Sequence, residues 1–86
     1  MAAHVRPRER LIVPDLGLGS TPLVLSLWLV PEGGRVAAGD RVVELLARGV
    51  TIDLEAPVSG RLVSRFLDED EPLATGTVLA EFEVGE

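Results

Sequence analysis

Short runs of valine, leucine and isoleucine alternate along the chain with glycine, proline and aspartate. This is the pattern of strands separated by tight turns. It predicts strands over residues 11–13, 23–30, 42–46, 50–54, 60–67 and 78–84. The last alternates strictly, with Val78, Ala80, Phe82 and Val84 on one side and Glu81 and Glu83 on the other, as a half-buried strand does. In 50–54, Ile52 and Leu54 point one way and Thr51 and Asp53 the other. No window sustains an apolar period of 3.6 residues. The expectation is an all-β domain.

Two segments repeat each other. "LVPEGGRVAAGDRVVEL" (29–45) and "FLDEDEPLATGTVLAEF" (66–82) align at an offset of 37 positions. Leu29 falls on Phe66, Val36 on Leu73, Gly39 on Gly76, Glu44 on Glu81 and Leu45 on Phe82. Each reads as strand, turn, hydrophobic anchor, glycine turn, strand. Two such copies predict an internal pseudo-twofold in which each half supplies one sheet of a small sandwich. Between them, "ELLARGVTIDLEAP" (44–57) reads as a hairpin whose two-residue turn is Arg48-Gly49.

The length of 86 residues sets one domain as the ceiling. With Trp28, Phe66 and Phe82 as the only aromatics, the core rests on aliphatic side chains. Absence of cysteine removes disulfides and thiolate chemistry. The net charge of −6 argues against nucleic acid and anionic membranes as partners. The polar stretch "MAAHVRPRER" is neither a signal nor a transit peptide; residues 1–9 are expected to be a flexible tail and 10–86 the domain. No run approaches the roughly 18 apolar residues of a membrane helix, so a cytoplasmic protein is the expectation. His4, alone in the tail, makes no zinc site. The serines have no histidine base in the folded region. "GLGSTP" (17–22) lacks the lysine of a phosphate loop, and the acidic "LDEDEP" (67–72) lacks the order of a calcium loop. No catalytic or metal site is predicted. All eight basic residues are arginine; the chain contains no lysine.

"VPDLGLG" (13–19), "WLVPEGGRVAAGD" (28–40), "VVELLARGVTIDLEAPVSG" (42–60) and "VLAEFE" (78–83), in this order and spacing, resemble the biotinyl/lipoyl-attachment family. The resemblance is strongest to the lipoyl domain of 2-oxoacid dehydrogenase dihydrolipoamide acyltransferases. It implies a flattened barrel or sandwich of two four-stranded antiparallel sheets. In the family, the hairpin tip carries an Asp-Lys-Ala triplet whose lysine takes lipoic acid. Aligned without gaps, that triplet falls on Arg48, Gly49 and Val50, and the lysine position is Gly49. The biotin carriers' Met-Lys-Met is absent as well. Arginine stays protonated and is not acylated in lysine's place, so neither lipoate nor biotin is expected as a covalent cofactor. Glycine meanwhile suits the turn, where φ > 0 is favoured.

Where the family's loop usually has glutamate the chain has Leu18, with Leu23 and Leu27 on the strand that follows and Leu46 and Val50 flanking the turn. Leu18, Leu23, Leu46, Arg48 and Val50 are the expected partner-binding residues, in an exposed apolar patch. The expected function is a non-lipoylated, non-enzymatic interaction module. Its partner would be an acyltransferase or dehydrogenase component of an acyl-transfer system, reached in trans if the chain is complete. The alternatives are a domain excised from the N-terminal part of a larger acyltransferase, or a lipoyl-like piece of a membrane-fusion adaptor. The same patch suits a homodimer contact.

Overall fold

The computed structural model describes residues 5–85. Eight strands follow in order: β1 (Arg8–Ile12), β2 (Leu23–Trp28), β3 (Arg35–Val36), β4 (Arg41–Ala47), β5 (Val50–Glu55), β6 (Gly60–Arg65), β7 (Pro72–Leu73) and β8 (Val78–Val84). They form two four-stranded antiparallel sheets, ordered β1-β8-β6-β3 and β5-β4-β2-β7. Adding four to each strand number of the first half and subtracting four from each of the second turns one order into the other, so the pseudo-twofold is real. The allotment of strands differs from expectation: each sheet takes two strands from each half. The cause is the connection between halves. β4 and β5 form a hairpin across the midpoint of the chain, and β8 inserts between β1 and β6. The halves are therefore exchanged across both sheets rather than stacked.

The anchors at Val36 and Leu73 are the two-residue strands β3 and β7. β1 starts at Arg8, before the expected domain boundary, because the edge of β8 holds it: Arg8 lies opposite Glu83, and the Val84 amide donates to the Pro7 carbonyl at 2.8 Å. Residues 1–4 of the expected tail, with His4, lie outside the described residues. The remaining strands match the predicted segments to within a few residues at their ends.

The inward faces supply the core. Leu25, Val42, Val43, Leu45, Leu62, Leu79, Ala80 and Phe82 are fully buried, and no polar or charged side chain among the described residues is. In β8 the alternation holds at Ala80 and Phe82, with Glu81 and Glu83 outward.

Hydrogen bonds repeat at the same offset of 37. The Leu29 amide donates to the Val42 carbonyl at 2.8 Å, and the Phe66 amide to the Leu79 carbonyl at 2.9 Å. Gly33 and Asp70 both take φ > 0 (86° and 73°) and donate their amides to Leu62 and Leu25. The acidic run is thus a turn, as its match with "PEGG" implies. Its Glu69 accepts from the Trp28 amide at 3.1 Å, and Glu32 accepts from the Arg65 amide at 2.7 Å.

Trp28 and Arg65 are symmetry mates and stack on each other, the guanidinium 5.4 Å from the ring centre. Each also reaches a carbonyl of the opposite half: the Trp28 Nε1–H donates to Leu67 at 2.9 Å and Arg65 donates to Val30 at 3.4 Å. The stack is worth about 0.5–1 kcal/mol at a half-exposed site. Trp28→Phe keeps a ring under Arg65 but leaves the Leu67 carbonyl without its donor. A loss of about 1 kcal/mol is expected in urea denaturation.

Candidate functional site

The internal twofold supplies its own control, because the two ends of the molecule would be alike if symmetry were perfect. Apart from the β4–β5 turn, which has no counterpart because β8 is not joined to β1, they differ at one connection. The link β5–β6 spans residues 56–59, whereas its counterpart β1–β2 spans 13–22. The long loop emerges beside the β4–β5 hairpin, since Val24 pairs with Leu46. The same end also receives β7, where Leu23 pairs with Leu73.

At the hairpin tip Arg48 and Gly49 have φ of 50° and 78°, both left-handed as a two-residue turn matched to strand twist requires. Both are exposed, as is Val50 at 60%. A Cβ on Gly49 would meet nothing within 4 Å, so the glycine is there for its backbone, not for lack of space. Arg48 occupies the same region at the cost that any branched or long side chain incurs there.

The predicted patch is only partly assembled. Leu23 is 7% exposed and belongs to the core, because at the start of β2 its side chain faces inward with that of Leu25. Leu18 and Leu46 are half-buried, and Leu18 packs on the core. Val50 alone of the four apolar residues is exposed, and Leu27 is exposed farther along β2. What the end does carry is a pocket of about 430 Å³ between the long loop and the turn after β7, lined by Leu16, Leu18, Pro22, Leu23, Leu73 and Thr75. Its symmetry counterpart, around Val36, Ser59 and Gly60, holds about 190 Å³. The longer loop and its leucines account for the larger volume. A row across the outer face, Pro72, Val24 and Leu46, extends the apolar surface toward the tip. Sequence reasoning missed Leu16, Val24, Pro72 and Leu73 as parts of this end. The match of Leu73 with Val36 in the repeat is the signal that could have found it.

The chain matches the Biotin_lipoyl family model, described as biotin-requiring enzyme, over residues 9–82. It is 34% identical over 76 residues to the dihydrolipoyllysine-residue acetyltransferase component of the acetoin cleaving system of Pseudomonas putida, covering 88% of this chain and 20% of that protein. It is 29% identical to the lipoamide acyltransferase component of the branched-chain alpha-keto acid dehydrogenase complex of the same organism, over 84% of this chain and 17% of that protein. The chain thus spans about a fifth of the length of these relatives. Its fold matches that of a single-chain, multi-domain long-chain acyl-CoA carboxylase with a TM-score of 0.74 and 23% identity, over 99% of this chain and 8% of that one. The family match, the relatives and the two interleaved four-stranded sheets agree: the chain belongs to the biotinyl/lipoyl domain family.

Proposed function

We propose that this domain works as a non-covalent interaction module of an acyl-transfer system and carries neither lipoate nor biotin. The observation that supports the reading most is the tip itself. The turn that the family uses to display an amine consists of Arg48 and Gly49, both exposed and both left-handed. Neither offers an amine that could attack an activated acyl group at neutral pH. The residues present do not fit an amide-linked cofactor, so no carrier step runs through them. The turn remains well formed without the chemistry, and what it presents is surface: Val50, the outer side of Leu46 and the pocket beside Leu18.

The relatives' names supply the partner class, a component of a 2-oxoacid dehydrogenase or related acyltransferase complex. The share of those relatives that the chain spans favours a second arrangement of the same reading, in which the domain is one part of a larger acyltransferase-like chain. Titrating the isotopically labelled domain with a purified 2-oxoacid dehydrogenase complex tests the docking. Amide shifts are expected at residues 46–50 and along the 15–22 loop. Val50→Asp, at an exposed site, is expected to alter stability by less than about 0.5 kcal/mol and to weaken binding about tenfold. Shifts confined to other surfaces, or affinity untouched by Val50→Asp, contradict the docking end proposed here.

A further inference from the structure

The outer faces of the two sheets correspond row by row, and they differ in charge. On the sheet β1-β8-β6-β3, the strand registers place Arg35, Arg61, Glu83 and Arg8 in one row. Their counterparts on the other sheet are Pro72, Val24, Leu46 and Thr51. In the next row Arg10 lies opposite Glu81, where the second sheet has Asp53 opposite Glu44. Arg6 joins the first face, its Nε 3.9 Å from Glu83. Five of the chain's eight arginines thus gather with two carboxylates on one face of a chain of net charge −6. None of the five has a basic counterpart under the twofold.

Stability does not account for the surplus. The ion pairs of Arg8 and Arg10 with Glu81, at 3.1 and 3.4 Å, and of Arg6 and Arg8 with Glu83, at 3.9 and 4.0 Å, join side chains open to solvent. Such pairs contribute about 0–1 kcal/mol each. Arg61 donates to the Gly33 carbonyl at 2.7 Å. Arg35 is exposed and has no ion pair among the described residues. Arg6, Arg35 and Arg61 rim a hollow of about 90 Å³ together with Glu83 and Gly85.

We propose that this face docks an acidic peptide segment of a partner protein, with carboxylates of the peptide set against Arg35, Arg61 and Arg8. The spacing suits an extended chain. Neighbouring strands lie about 4.8 Å apart, so the row spans about 14 Å, the distance covered by acidic residues at alternate positions over roughly four residues of extended peptide. The interleaved Glu81 and Glu83 favour a peptide over a phosphate backbone. A peptide brings amide donors to meet those carboxylates, whereas a continuous line of phosphates is repelled by them. The surface lies on the sheet that does not contain the hairpin tip, so the inference stands apart from the docking end proposed above.

Fluorescence anisotropy with a labelled peptide of alternating glutamate and serine tests it, at about 50 mM salt where screening is weak. The wild-type chain is expected to bind, and added salt to weaken the complex. Arg35→Gln with Arg61→Gln is expected to weaken binding about tenfold, and the Arg35→Lys/Arg61→Lys pair to stay within about threefold of wild type. Because Arg61 also holds the Gly33 carbonyl, Arg6→Gln with Arg35→Gln provides a second pair that leaves that bond in place, and amide spectra report whether each variant is folded. The proposal is overturned if the peptide does not bind, or if both glutamine pairs bind as wild type does. Equal affinity for a single-stranded oligonucleotide overturns it too. Self-association in sedimentation that the glutamine pairs abolish, without peptide binding, gives the face to a second copy instead.

Discussion

Phe82→Ala is expected to cost about 3–5 kcal/mol of unfolding free energy, the range for emptying a large aromatic from a packed core. Phe82 is the bulkiest fully buried side chain. It sits in β8 between Glu9 of β1 and Leu62 of β6, so both neighbouring strands lose a wall at once. A domain of this length buries roughly 60–65% of its unfolded surface, and at about 0.05–0.15 kcal/mol per residue its whole stability is about 4–13 kcal/mol. One residue therefore carries a large share of the stability of the whole domain. Leu45, its symmetry mate in β4, is equally buried but smaller. Leu45→Ala is expected to cost about 2–4 kcal/mol. Urea denaturation of both variants checks the order. A loss below about 1 kcal/mol for Phe82→Ala would mean that the sheets close without it.

The second large effect concerns backbone approach. Gly60 opens β6, paired with Val36 on one side and Val84 on the other. A Cβ there would run into the carbonyl of Glu83, which is backbone in a central strand and has nowhere to move. Gly60→Ala is expected to destabilise by about 2–3 kcal/mol as overpacking against a rigid neighbour. Gly49→Ala meets no atom within 4 Å and suffers only from its φ of 78°, a cost of about 1 kcal/mol. Thermal melts of the two variants separate the mechanisms. If Gly49→Ala proves the more damaging, then strain at the tip, not contact at β6, governs this fold. The counterpart of Gly60 in the other half is Leu23, buried with a full side chain. The two halves thus share a path and not a packing.

The residues made the strands and the twofold legible because both are local. Alternation in 78–84 depends on neighbours two apart, and the repeat on matched turns such as Gly39 and Gly76, whose φ of 92° and 91° are nearly equal. The exchange of strands between halves was not legible. It depends on which edges pair across the domain, and Leu45 or Phe82 would be apolar in either arrangement. The tip was found by position, at Arg48 and Gly49. The apolar patch was misjudged at Leu23, because a leucine at the first residue of a strand carries no sign of its direction until the register with Leu73 is fixed. The arginine face was invisible for the same reason: Arg8, Arg35 and Arg61 are far apart in sequence and meet only through β8 and β6.

The proposal that the hairpin is read as surface and never loaded is tested most directly by lipoylation itself. The purified chain and its Gly49→Lys variant, each incubated with a lipoate ligase, lipoate and ATP, are compared by intact mass. The wild-type mass is expected to stay that of the unmodified 9.2 kDa chain, while the restored lysine, on a turn already shaped for display, accepts the lipoyl group. A lipoyl adduct on the wild-type chain would contradict the account.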